Sequence, residues 1–355
     1  MAAYVVGSYA TSPSGLPQNG PFDEAAERAF FAGLAALDTV GGLELAVFAD
    51  GRLHPHDEDF LLGQLAEHGK AWRRVVLTCI PGTMGIMGES PHFGLASEDR
   101  AGRAAAVEFV SGVAEKVARV NTALHRAAFG VGAAPEGRSA GRVTAVEIHS
   151  APTQGGDAKG SAARLKESLL ELLAVDWSGA RLVVEHCDAF VEAHPPQKGF
   201  LSLEQELEAL TLTETQQTWL DGMGQPQPGI AINWARSVLE TRDAAQAVAH
   251  VRAAAAAGVL CGLMFSGCTD DEGAKGEIAA AYGAWTDSHM PAEGTVPGSL
   301  LTEAAVRECL AAAADVRGVY IGVKLLAAGA VADSVESRLG ANAQLLGLIR
   351  EADGR

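Results

Sequence analysis

The chain is short of paired cysteines, of aromatic residues and of positive charge. Its five cysteines, Cys79, Cys187, Cys261, Cys268 and Cys309, are odd in number and include no Cys-x-x-Cys pair. Neither a zinc ribbon nor a disulfide framework is therefore indicated. Several stand in or beside apolar runs, where a free thiol behaves as a small hydrophobe. Aromatics are 6% of residues against 41 glycines, a composition suited to helices packed closely on a sheet. Lys and Arg number 27 against 44 Asp and Glu, a net charge of −17. Nucleic acid and anionic membrane surfaces both require a basic face, so neither is expected as a partner. No apolar run is long and charge-free enough to cross a bilayer. The N-terminal Tyr4–Tyr9 reads as a strand, not as the basic and apolar regions of a secretion signal, and a cytoplasmic location is expected. No Walker loop or nucleophile elbow occurs, which argues against NTP hydrolysis and α/β-hydrolase chemistry.

What is present is alternation. Eight short apolar runs, Tyr4–Ala10, Leu43–Phe48, Arg74–Ile80, Val143–His149, Leu182–His186, Gly229–Trp234, Val259–Ser266 and Val319–Leu325, are separated by segments with helical spacing. Strand–helix alternation implies parallel strands joined by crossover helices. Eight units in 355 residues predict a single (β/α)8 barrel domain over residues 1–355, an α/β fold. Longer loops are expected at 81–97, 129–140 and 268–298. The first and third follow strands, on the face where barrels carry their sites.

Strand residues alternate between faces. If the apolar set meets the helices, the other set points to the barrel axis. That parity sends Glu147, His149, Glu185, Asn233, Ser266 and Lys324 inward, all near strand C-terminal ends, and Glu44 inward on the second strand. A satisfied polar plug is the structural alternative. The densest group is Glu185-His186-Cys187-Asp188, where acid and imidazole crowd the end of an apolar strand. Burying a carboxylate there is costly without a partner. His186 and Asp188 read as a supporting pair, or as groups orienting Glu185.

The pattern resembles the xylose-isomerase-like barrels, the superfamily of sugar-phosphate isomerases, epimerases and AP endonucleases. Glu147-Ile-His149-Ser-Ala-Pro152 is similar to that group's strand-four histidine motif. Val184-Glu185-His186 is similar to its strand-five ligand glutamate. Trp285-Thr-Asp287-Ser-His289 is similar to an Asp-x-His pair after strand seven. More narrowly, Glu185–Asp188, Ile232–Ser237, Met264–Gly267 and Trp285–His289 together resemble an uncharacterised bacterial family, a domain of unknown function. The departures are chemical. Where relatives place an aspartate and a histidine, this chain has Asn233 and Arg236; Ser266 replaces a histidine and Lys324 a glutamate. Two potential metal ligands have become cations, and a divalent ion beside them would be repelled.

The resemblance and the departures together imply a metal-independent sugar or sugar-acid isomerase or epimerase acting by proton transfer next to a carbonyl. Glu185, Lys324, Glu147 and His149 are the expected catalytic residues. Asn233, Arg236, Ser266, Trp234, Asp287, His289 and Glu44 are expected to bind the substrate, with Trp285 a further candidate for stacking. No cofactor is expected; a divalent metal relocated to His149, Glu185, Asp287 and His289 is the alternative. The expected partner is a small anionic carbohydrate, held by the Arg236 fork; a homo-oligomer is compatible with the sequence. The loop Pro195-Pro196-Gln-Lys198-Gly-Phe200 is placed to cover the mouth. Two other readings stand: a glycosidic or C–O bond lyase or hydrolase using Glu147 and Glu185, and a non-catalytic carbohydrate-binding barrel.

Overall fold

The computed structural model describes residues 4–270 and 277–354. Eight parallel strands close into a barrel in sequence order: β1 (Tyr4–Gly7), β2 (Val40–Ala46), β3 (Arg74–Thr78), β4 (Arg142–Ile148), β5 (Arg181–His186), β6 (Gly229–Asn233), β7 (Leu260–Phe265) and β8 (Tyr320–Val323). Closure is made by β1 on β8, with Val5 beside Gly322 and Val6 beside Val323. The main helices are α1 (Glu24–Ala36), α2 (Glu58–His68), α3 (Ile80–Glu89), α4 (Arg100–Phe129), α5 (Ala162–Leu172), α6 (Leu203–Leu210), α7 (Glu214–Gly222), α8 (Trp234–Thr241), α9 (Ala245–Ala256), α10 (Glu303–Ala312) and α11 (Val335–Asp353). No helix among the described residues is long and apolar enough to cross a membrane.

Local chemistry starts most of these helices. Side chains of Asp23, Asp57, Asp99, Ser161, Thr302 and Ser334 accept a backbone N–H in the first turn of α1, α2, α4, α5, α10 and α11, each cap stabilising its helix by about 1 kcal/mol. Apolar residues at three- and four-residue spacing then bury one face. In α4 these are Val110, Val113, Val117, Val120 and Leu124.

The strand parity is as the sequence implied. Leu43, Leu45, Val146, Ile148, Val184, Ile230, Ile232, Leu263 and Phe265 pack outward in the helix-facing core. Val5, Val76, Ala145, Val183, Ala231, Met264 and Tyr320 form a separate apolar layer inside the barrel. Two residues further along each strand that layer gives way to Gly7, Thr78, Glu147, Glu185, Asn233, Ser266 and, beyond Gly322, Lys324. The polar layer thus sits above an apolar floor, at the C-terminal end where barrel sites lie. Gly7 leaves room in it: a Cβ there would lie 2.9 Å from Glu44 Oε2 and 3.1 Å from Lys324 Cγ.

One expected loop is partly a helix. Within 81–97 the chain forms α3, which Gly, Met and Pro content disguised. Pro81 stands in its first turn, where the missing N–H costs nothing. Gly82 lets α3 press onto the end of β2, since a Cβ would meet Val47 O at 2.8 Å. The segment after α4 is irregular as expected from 130 to 141. Of the loop expected at 268–298, residues 271–276 lie outside the described residues, and Glu277–Tyr282 is a short helix.

Candidate active site

Glu185 is the hub of the axis. Its Oε1 accepts from Lys324 Nζ at 2.9 Å and from Asn233 Nδ2 at 3.4 Å. Its Oε2 meets Arg236 Nη1 at 2.9 Å and His149 Nε2 at 3.0 Å. Burial opposes its charge, but the Arg236 guanidinium and the Lys324 ammonium outweigh burial and hold the carboxyl well below the usual range. The Lys324 ammonium also lies 2.5 Å from Glu44 Oε1. Burial works against that ammonium, yet Glu185 and Glu44 keep it protonated, its pKa well above the ordinary lysine value. Lys324, Glu44, Glu147 and Glu185 are each fully buried, so these ion pairs are poorly screened.

The three axial acids differ. Glu147 is raised well above the carboxylate range by burial and then by the charges of Glu185 and Glu44, and Tyr320 donates to its Oε1 at 2.6 Å. Of the three acids it is the one whose surroundings most favour the protonated form. Glu44 is raised by burial against the pull of Lys324, and its Oε2 has no hydrogen-bond partner. His149 is pushed down to about 4 by burial, so it is a neutral imidazole despite its contact with Glu185. A carboxylate only accepts, which places the proton on Nε2. Nδ1 is left as a buried lone pair with no donor.

Arg236 connects this axis to the surface. It opens α8 directly after β6, and its Nε also contacts Asp287 Oδ2 at 3.3 Å. It does not bridge to Glu240 one turn on, the structural alternative for an Arg at that spacing; Glu240 faces His186 instead. Lys198 Nζ reaches the same Asp287 oxygen at 3.0 Å. Burial resists ionisation of Asp287, but Arg236, His289 and Lys198 pull it far below the usual carboxylate range. His289 is lowered to about 3, chiefly by burial, and Ser266 Oγ, 3.4 Å from His289 Nδ1, donates to Asn233 Oδ1 at 3.0 Å. Arg236, Lys198, Asp287, His289 and Tyr9 line a cavity of about 360 Å³, faced across by Phe48, Ile80, Met84 and Leu326. The Tyr9 ring centroid is 5.9 Å from Lys324 Nζ.

Each residue of Glu185–Asp188 has a separate task. His186 points outward and does not pair with Asp188. Its Nδ1 meets Glu206 of α6 at 2.7 Å and its Nε2 meets Glu240 of α8 at 3.1 Å. Cys187 Sγ accepts from Arg236 Nη1 at 3.1 Å. Asp188 accepts the backbone N–H groups of Gln197 at 2.8 Å, Lys198 at 2.9 Å and Gly199 at 3.3 Å, which fixes the loop that carries Lys198. Asp188→Ala is expected to free that loop, speeding amide exchange at 197–199 and weakening ligand binding roughly tenfold, about 1.4 kcal/mol or one to two lost hydrogen bonds. Unchanged exchange at those amides would refute the anchoring role.

Most of the expected site residues converge. Glu44, His149, Glu185, Asn233, Arg236, Ser266, Asp287, His289 and Lys324 form one connected group through the contacts above, and Glu147 adjoins it, with a carboxyl oxygen within 4.8 Å of Glu44 and Glu185. Trp234 does not join them: its ring is buried in the helix-facing core, because it follows the inward Asn233 and turns outward. Trp285 packs at the edge of that core with Arg242 over its ring at 5.3 Å. The set His149, Glu185, Asp287 and His289 is not gathered as one ligand group among the described residues; Arg236 stands between its two halves, in contact with Glu185 and Asp287. Sequence reasoning missed Tyr9, because the strand expected over Tyr4–Ala10 ends at Gly7 and Tyr9 stands in a short helix, Ser8–Thr11, where strand parity no longer applies. It left Tyr320 without a role, and it missed Glu206, which no strand periodicity could reveal.

Comparisons with known proteins agree with the barrel. Residues 5–341 match a family described as a domain of unknown function, DUF4862. An uncharacterised protein of Salmonella typhimurium is 34% identical over 331 residues, covering 93% of this chain and 91% of that one. Among solved structures, D-psicose 3-epimerase with D-tagatose from Clostridium cellulolyticum H10 aligns with a TM-score of 0.53 at 13% identity, covering 99% of both chains. A putative xylose isomerase from Rhodospirillum rubrum aligns with a TM-score of 0.53 at 11% identity, also covering 99% of both. At such identities the likeness is one of fold, the xylose-isomerase-like TIM barrel. The chain is a member of the DUF4862 family, built on that barrel.

Proposed function

We propose that this protein is a metal-independent sugar isomerase or epimerase that moves a proton next to a carbonyl of a small anionic carbohydrate. The observation that carries the reading is the Lys324 ammonium held on the axis between Glu44 and Glu185, at 2.5 and 2.9 Å. Glu44, Glu147 and Glu185 have ligand atoms within 4.8 Å of one another, a donor set suited by type to a divalent ion. Yet Lys324 already contacts two of them, Glu44 and Glu185, Arg236 holds Glu185, and burial with the neighbouring acids favours the protonated form of Glu147. An added divalent charge would face an ammonium and a guanidinium at contact distance. The residues do not fit a metal there, and fixed cations take its electrostatic role. In the outer cluster of His186, Glu240 and His250, both His186 nitrogens are engaged by carboxylates.

In this reading Lys324 and Arg236 stabilise the oxygen that becomes negative when the neighbouring carbon loses its proton, a preorganised effect of the oxyanion-hole kind. Glu185 has both oxygens taken by these cations and serves to position them. The proton shuttle then falls to Glu44, whose Oε2 is unpartnered, and to the neutral Glu147, consistent with acids whose environments set them apart. His149 Nδ1 is available to accept a substrate hydroxyl. Lys198 and Arg236 on the cavity wall suit a carboxylate or phosphate, in exchange for Asp287.

A glycosidase pair of neutral Glu147 and ionised Glu185 is less well supported. Both Glu185 oxygens face cations, which leaves a poor nucleophile. The test is exchange of a substrate C–H with solvent deuterium, followed by NMR over a panel of ketoses, aldoses and their acids. Exchange undiminished by exhaustive chelation, with less than stoichiometric metal by elemental analysis, is expected. Exchange that disappears with the chelator and returns with a divalent ion would sink the metal-free mechanism. Binding without exchange would favour the non-catalytic barrel.

A further inference from the structure

We propose that the substrate is a glycoside of a sugar acid, whose carboxyl supplies both the negative charge and the carbonyl next to the labile C–H, and that its apolar, aryl or alkyl, aglycone lies in a groove along α3 beside the mouth. The proposal rests on the carbohydrate reading for the sugar half of the ligand and on separate geometry for the rest. A second cavity, of about 530 Å³, opens along α3 and the segment after β4. Two links join it to the mouth. Met84 lines both cavities. Thr153, on the wall of the groove, donates through Oγ1 to the Lys198 carbonyl at 2.7 Å, and the Lys198 side chain lines the mouth.

The chemistry of the walls selects the occupant. Met84, Met87, Pro91 and Ala158 present apolar surface, and methionine adapts its shape to varied apolar ligands. Of the polar side chains on its walls, Thr153 and Gln154 are already engaged, while His92 and Asp157 are exposed to solvent. Thr153 holds Lys198, while Gln154 donates to the Pro152 carbonyl at 2.6 Å and accepts from Gly160 N at 3.0 Å. A second sugar ring laid on the Met84, Met87 and Ala158 wall would have to give up water without regaining hydrogen bonds from it, which is costly. A phenyl or alkyl group gives up nothing polar and gains by leaving water.

The groove can be filled without touching the site. Gly88 lines it, is exposed, and has no atom within 4 Å of a Cβ added there. Tryptophan at this helix position is also a better helix former than glycine. The experiment measures affinities by titration calorimetry and ligand-observed NMR for methyl glycosides, 4-nitrophenyl glycosides and disaccharides of glucose and glucuronic acid. Wild-type protein is expected to bind the nitrophenyl glycoside at least about tenfold more tightly than the methyl glycoside, the gain from burying on the order of 60 Å² of apolar surface. Gly88→Trp is expected to remove that preference and leave methyl glycoside binding unchanged. Equal affinities in the wild type, a preference that survives Gly88→Trp, or an equal gain from a second sugar overturns the proposal. Free 4-nitrophenol separates the two readings. If it binds and Gly88→Trp expels it while no glycoside binds, the apolar groove stands and the carbohydrate reading falls; if neither it nor any glycoside binds, the groove falls as well.

Discussion

Lys324→Met should cost at least two to three orders of magnitude in substrate C–H exchange, the range seen when one preorganised stabilising group is lost. It should also lower stability by about 3–5 kcal/mol, because Glu44 and Glu185 lose a buried counter-charge. Both carboxylates are fully buried beside the ammonium, so solvent cannot replace it. The two effects are separable. Adding Glu44→Gln to Lys324→Met removes one uncompensated charge and should recover much of the stability, read by urea titration. A Lys324→Met protein that retained exchange would deprive the mechanism of its electrophile.

His186→Gln should destabilise the protein by about 3 kcal/mol near neutral pH, the lower end for breaking a buried ion pair. His186 is fully buried, and burial disfavours its charge. Glu206 and Glu240 more than compensate, raising it to about 10 from an ordinary 6.5. His250, edge-on at 4.7 Å, is lowered to about 4, first by burial and then by the His186 charge, so it stays neutral and adds no competing cation. Glu240 is held below its ordinary value by His186 although burial raises it. Glu206 also accepts from Ser150, and burial raises it against the pull of His186. The flanking charges favour the imidazolium. A group whose folded pKa is raised gives stability that is complete below its unfolded pKa and disappears as pH climbs through the folded one. The His186 contribution should therefore be whole below about 6.5 and fade up to about 10. Urea midpoints across that window should slope downward in the wild type more than in His186→Gln. Parallel profiles would show that the buried ring is neutral. Because Glu240 lies one turn from Arg236 on α8, the variant should also loosen Arg236 and weaken ligand binding.

Much of the axial site was legible because a barrel strand has two faces and only one meets helices. That rule alone placed Glu147, Glu185, Asn233, Ser266 and Lys324 together, and the inner apolar layer of Val76, Ala145, Val183, Ala231 and Met264 repeats it one step down each strand. Where alternation ends, legibility ends too. Trp234 follows an inward residue and was expected beside the substrate, but the strand passes straight into α8 there and the ring turns into the helix-facing core. α3 was concealed because its Gly and Met content carries the composition of a loop, while its helical state comes from close packing on β2.

The sequence alone determined the eightfold alternation and the direction each strand side chain takes, since both follow from local periodicity and residue type. Tertiary structure decided which charge meets which. Arg236 is joined to Asp287 across 51 residues, Lys198 to Asp287 by a loop that Asp188 anchors, and His186 to Glu206 and Glu240 from two different helices. Such pairings depend on where helices and loops dock around the barrel, and docking is set by the packing of the whole core, which leaves no period in the chain to read.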